Sequence, residues 1–198
     1  MDIDFFALTY LFLRLAPFIL VSFFSLSSIF NQDFKGIVYL LFLLGSTFVV
    51  LLCESFIPKT FLDAPAGKDL TCEFLNISSN TPMSRLPLGT GTIAFTFCYL
   101  LYTIVQYEYT NYNIPTIIFF SILLGSDIAW QITHTCYSPI NVFITMILFS
   151  ACGVLSSYLI DYVKLTDLQY FTSINGQEVC SRPSKQSFSC SVQKKTPT

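Results

Sequence analysis

Residues 36–55 read Gly36-Ile37-Val38-Tyr39-Leu40-Leu41-Phe42-Leu43-Leu44-Gly45-Ser46-Thr47-Phe48-Val49-Val50-Leu51-Leu52-Cys53-Glu54-Ser55, with no charge before Glu54. A helix crosses the hydrocarbon core of a bilayer with about 20 mostly apolar residues. This stretch is therefore a spanning helix on length and composition alone. Four further runs have the same character: 5–30, which contains Arg14 and Pro17; 90–106; 115–132; and 139–163. The expected fold is an all-α membrane protein, a bundle of about five transmembrane helices. Residues 1–163 form the bundle, 56–89 an extramembrane loop, and 164–198 a polar C-terminal tail.

Composition agrees. Of 198 residues, 53% are hydrophobic and 11% charged, where a soluble domain carries about 25% charged residues. A net charge of -2 argues against nucleic acid as a main partner; the expected partner is the lipid bilayer. The first apolar run exceeds the length of a signal-peptide core. It also follows Met1-Asp2-Ile3-Asp4, the wrong charge for a secretion signal.

Five spans put the termini on opposite faces. The N-terminus, the 56–89 loop and the 133–138 turn share one face; the 31–35 turn, the 107–114 turn and the tail share the other. The first face carries Lys59, Lys68 and Arg85, and the second Lys35, Lys164, Arg182, Lys185, Lys194 and Lys195. The positive-inside rule then predicts a cytoplasmic tail. The sequon Asn76-Ile77-Ser78 falls on the opposite face, compatible with glycosylation of Asn76.

Seven cysteines do not form a disulfide framework by pattern. Cys53, Cys98 and Cys152 lie in apolar runs as small hydrophobes. Cys136 lies at a membrane edge. Cys72, Cys180 and Cys190 lie in polar segments and are the ones expected to pair or react, with Cys180–Cys190 a candidate pair that a reducing cytosol would oppose. No Cys/His cluster has zinc-site spacing, and neither metal nor cofactor is expected.

The run Trp130-Gln131-Ile132-Thr133-His134-Thr135-Cys136-Tyr137-Ser138-Pro139-Ile140-Asn141-Val142 leads into the last span. It lies without a gap on the final signature of the type-2 phosphatidic acid phosphatases, S-R-x-x-x-x-x-H-x-P-x-D-V, which it resembles at Pro139 and Val142. Gln131 stands at the arginine position, Tyr137 at the histidine and Asn141 at the aspartate. Two spans earlier, Pro87-Leu88-Gly89-Thr90 occupies the place of that family's P-S-G-H. Leu88 stands at the serine and Thr90 at the histidine that protonates the leaving group. Lys59 occupies the region of the first signature, without the R-P that should follow. The resemblance covers roughly residues 36–163; the family has six spans and this chain five.

The resemblance implies a membrane phosphatase scaffold, and the substitutions imply that it is not an enzyme. Nucleophilic catalysis needs a nucleophile activated by a positioned base, and phosphate needs fixed cationic donors. A tyrosine with a pKa near 10 cannot replace a histidine nucleophile unaided, and Asn141 cannot balance an imidazolium. His134, the single histidine, cannot be both nucleophile and acid, and reads as an interfacial residue at a helix end.

Asp127 lies within the fourth span. An acid there is costly and is a functional candidate by default. Arg14 in the first span is its expected partner, in a structural intramembrane pair. Gly45-Ser46-Thr47, Gly125-Ser126 and Ala151-Cys152-Gly153 are expected to pack helices closely within the monomer. Phe5, Phe6, Phe12, Phe18, Phe23 and Phe24 make the first helix strongly aromatic and are expected to face lipid.

The polar tail carries short alternating runs, Gln177-Glu178-Val179-Cys180 and Gln186 to Val192, of the kind that form a small hairpin or add a strand to a partner's sheet edge. Spans of degenerate phosphatase type followed by such a tail resemble internal-membrane and minor capsid proteins of large double-stranded DNA viruses. The resulting expectation is a non-catalytic multi-pass protein that links a membrane to a protein assembly, a viral capsid, through residues 164–198. The alternative is a membrane lipid phosphatase or lipid-binding protein with altered active-site residues.

Overall fold

The computed structural model describes residues 5–57, 85–134, 136–165 and 168–170. They form α1 (Phe5–Asn31), α2 (Lys35–Phe56), α3 (Leu88–Gln106), a single 3-10 turn (Thr110–Tyr112), α4 (Ile114–Thr133) and α5 (Pro139–Tyr162). No strand occurs among the described residues. All five α-helices are long and apolar enough to cross a membrane. The described residues are thus all-helical and of multi-pass membrane type, with boundaries within two residues of those expected from the apolar runs.

The spans begin and end where the chain changes character. Pro115 and Pro139 sit in the first turns of α4 and α5, where a missing N–H costs nothing. α1, α3 and α5 each end on a non-glycine residue in the left-handed region: Gln32 (φ 55°), Glu108 (φ 57°) and Lys164 (φ 60°). In each case the next amide bonds back to the carbonyl five residues earlier: Asp33 N–H to Ser28, Tyr109 N–H to Ile104, and Leu165 N–H to Ile160. This is the Schellman closure, which satisfies carbonyls that a helix end leaves bare.

α3 is the central helix. It touches each of the other four, α5 most extensively. Of its apolar window 56% is buried, against 28–33% in the others. Lipid tails are as apolar as leucine, so helices associate in a membrane through close packing rather than hydrophobic burial. The α3–α5 seam follows that rule. A Cβ on Gly153 would stand 2.6 Å from the Phe95 carbonyl oxygen, and one on Gly91 would overlap the Phe149 ring at 2.4 Å. Two buried hydroxyls of α3 return to their own helix: Thr96 donates to the Thr92 carbonyl at 2.7 Å and Thr103 to that of Tyr99 at 3.2 Å. Internal bonding of this kind replaces absent water.

Gly45 and Gly125, by contrast, have nothing within 4 Å of a notional Cβ and lie on exposed faces. The expectation of close packing at the three small-residue clusters is corrected at Gly45 and Gly125; Gly153 meets a neighbouring helix, and Ser46, beside Gly45, is buried. A glycine needs a partner helix at its own angle, and α2 and α4 turn Gly45 and Gly125 outward. Phe12, Phe18 and Phe23 are exposed on α1, while Phe24 is buried.

The chain after α5 turns back onto the bundle. Gln169 is fully buried and donates from Nε2 to the Ser157 carbonyl at 2.8 Å. Tyr170 donates its hydroxyl to the Phe24 carbonyl at 2.7 Å and sits edge-on to Phe24, with centroids 4.8 Å apart. Tyr39, Phe95 and Tyr99 complete this aromatic cluster. Tyr39 and Thr96 share a hydroxyl hydrogen bond of 2.6 Å.

Candidate functional site

At the other end of the bundle four polar residues converge. Asp127 and Gln131 are four apart on α4 and so share one face; each is only 6% exposed. Thr90, in the first turn of α3 and 1% exposed, donates its hydroxyl to Asp127 Oδ2 at 2.5 Å. Gln131 also hydrogen-bonds the Asp127 carboxyl, and the Arg14 charge attracts it. Arg14, Asp127, Gln131 and Tyr137, with Leu13, Trp130 and Cys136, line one cavity of about 20 Å³. That volume holds about one water molecule.

The preceding segment is anchored to α2, since the Arg85 amide donates to Glu54 Oε1 at 2.9 Å. Leu86 and Pro87 are buried and Leu88 is half-buried at the head of α3. Pro17 of α1 lies 3.3 Å from a notional Cβ on Gly89, so α1 closes over the start of α3 beside Arg14.

Thr90, Gln131 and Tyr137 thus come together around Asp127. Asn141 lies in the first turn of α5 and is 1% exposed. Its Nδ2 makes a long 3.5 Å contact to the Arg85 carbonyl, and its Oδ1 is buried without a hydrogen bond. His134 caps the end of α4 and stacks on Trp130, with centroids 4.2 Å apart. Lys59, Cys72, Asn76, Cys180 and Cys190 lie outside the described residues.

The Thr90–Asp127 bond joins residues 37 apart in sequence, and nothing in the linear pattern marks it. The Asp127–Gln131 spacing was the available signal. Cys136 corrects the cysteine reading: it is disulfide-bonded, although its position at a membrane edge gave no sign of pairing. Cys53, Cys98 and Cys152 are free. No group of three or more His, Cys, Asp or Glu side chains could hold a metal ion among the described residues.

A second hollow, of about 260 Å³, is apolar and open, lined by Cys98, Leu101, Tyr102, Val105 and Gln106 of α3 and Val154 of α5. Its lining carries neither acid nor base and suits an acyl chain better than chemistry.

No protein-family model, curated protein or solved structure matches the chain.

Proposed function

We propose that the protein is a non-catalytic integral membrane scaffold of phosphatase-like design, which ties a membrane to a protein assembly through the segment after Tyr170, a viral capsid being the assembly its sequence resembles. The observation that carries the non-catalytic part is the Asp127 carboxylate. It is a buried acid at the position where a phosphatase would need to receive an anion. Thr90 and Gln131 spend their hydrogen bonds on it, and Arg14 supplies the opposing charge. A phosphate brought here would meet a buried acid whose hydrogen-bond donors are already engaged, in a space fit for one water. The constellation reads as a polar fastener among α1, α3 and α4.

A decisive assay is phosphate release from phosphatidic acid vesicles by the purified protein. No release above the vesicle background is expected. Release that Tyr137→Phe or His134→Ala abolishes would establish the lipid phosphatase instead. For the tail, a truncation after Tyr170 keeps the Gln169 and Tyr170 contacts and tests the anchor alone. The shortened protein is expected to insert normally and to be lost from its assembly. Normal retention would end the anchor reading.

A further inference from the structure

We propose that the apolar hollow on α3 and α5 holds one acyl chain of a phospholipid whose headgroup carries a primary ammonium, a phosphatidylethanolamine, and that Asp161 accepts the headgroup's hydrogen bonds. Cys98, Leu101, Tyr102, Val105 and Gln106 line the hollow from α3, and Val154 lines it from α5. The α3 positions recur at threes and fours and so form one helix face. The hollow is therefore a slot along the helix axis. From Cys98 to Gln106 it rises about 12 Å, against about 15 Å for half of the hydrocarbon core. Cys98 lies near the middle of α3 and Gln106 ends it. The slot thus reaches from the middle of the bilayer to one edge, the path of one acyl chain in one leaflet.

The edge is polar and acidic. α3 and α5 are two crossings apart and run in the same direction. Val154, Tyr158 and Asp161 are spaced by four and three on α5 and share a face, so Asp161 stands beyond the slot's end, at headgroup level. Tyr107, which follows Gln106, donates its hydroxyl to Asp161 Oδ1 at 3.1 Å and holds the carboxylate beside the slot's mouth. Tyr102, on the slot wall, lies within electrostatic reach of Asp161 and Tyr158. Among the described residues no donor meets Asp161 Oδ2.

Charge selects the headgroup. A carboxylate at the mouth favours an ammonium and opposes a purely anionic headgroup. Lys164, exposed just past the end of α5, suits the phosphate between chain and ammonium. The tyrosine rings stack in pairs, Tyr158 on Tyr162 with centroids 6.2 Å apart and Tyr107 on Tyr109 at 6.3 Å. They do not form a cage over a quaternary ammonium. The open carboxylate oxygen and the Gln106 carboxamide instead accept N–H donors, which a primary ammonium has and a choline lacks.

The test is native mass spectrometry of the full-length protein in detergent. It is titrated separately with phosphatidylethanolamine, phosphatidylcholine and phosphatidylglycerol of the same acyl chains. One phosphatidylethanolamine per chain is expected, bound about fivefold tighter than either other lipid, as one partly exposed charged pair would give. Asp161→Asn keeps an acceptor for Tyr107 and should level the three affinities while a lipid stays bound. Val154→Trp, at a position 42% exposed, should fill the slot and remove the adduct of all three lipids without changing thermal unfolding. Equal or tighter binding of phosphatidylcholine or phosphatidylglycerol overturns the headgroup assignment, as does a preference that survives Asp161→Asn. An adduct that survives Val154→Trp overturns the slot. A wild-type dimer that Val154→Trp dissociates would make the slot a self-association face and end the lipid reading.

Discussion

The two ends of the bundle solve one problem in opposite ways. At the cavity end, α1, α3 and α4 are held by charge and hydrogen bonds around Asp127. At the other end, α1, α2 and α3 meet through the packed, mostly tilted or edge-on rings of Phe24, Tyr39, Phe95, Tyr99 and Tyr170, with Gly36 allowing the approach. The difference shows where specificity comes from when lipid supplies no hydrophobic drive. A polar knot is directional and tolerates a small void; an aromatic cluster is shape-dependent and tolerates none.

Gly36→Val should have the largest effect. Its Cβ would stand 2.4 Å from the Phe24 carbonyl oxygen and 2.6 Å from Ser28 Cβ, so α1 and α2 must part. A loss of about 2–3 kcal/mol is expected for such overpacking, against less than about 0.5 kcal/mol for Gly45→Val in open space. Thermal unfolding in detergent measures both. Equal melting of the two variants would mean that the aromatic end is loosely packed.

Asp127→Leu comes next. It leaves Thr90, Gln131 and Arg14 without their shared partner, and about 1–2 kcal/mol is expected from measured hydrogen bonds between membrane helices. Asp127→Asn keeps an acceptor and should cost less. If the leucine variant is as stable as wild type, the polar knot does not fasten this end.

Tyr170→Phe keeps the ring and removes only the 2.7 Å bond to Phe24. About 0.5–1.5 kcal/mol is expected, with faster proteolysis after residue 165 as the specific readout. Unchanged proteolysis would show that the ring alone seats this segment.

The smallest effect is a pH dependence at Tyr107, just beyond α3. Burial first, and then the 3.1 Å hydrogen bond it donates to Asp161, push its phenol from the ordinary 10.0 up to about 12. The neutral phenol is the form the fold holds. The contact is therefore intact below pH 10 and lost as pH rises through about 12. Ultraviolet titration should show a late tyrosine that Tyr107→Phe removes. No change in the titration would remove this residue from the end's stabilising set.

The spans were legible because they depend on composition over twenty residues, which a bilayer reads much as a sliding window does. Pro115 and Pro139 marked two helix starts for equally local reasons. The site was legible in part. Asp127 and Arg14 stood out as charges among apolar residues, and Thr90, Gln131 and Tyr137 as departures from a signature. Their convergence around Asp127 was not, because it depends on how α1 and α3 pack against α4. The bonded state of Cys136 and the seating of Gln169 and Tyr170 were hidden for the same reason.

The sequence by itself determined that the chain is a five-helix membrane protein and which polar residues its spans must accommodate, since insertion energetics act residue by residue along a helix. Only the tertiary structure decided which of those residues meet and which glycines face a neighbour. Such contacts join residues tens of positions apart, and their pairing is set by helix rotation and crossing rather than by any local preference.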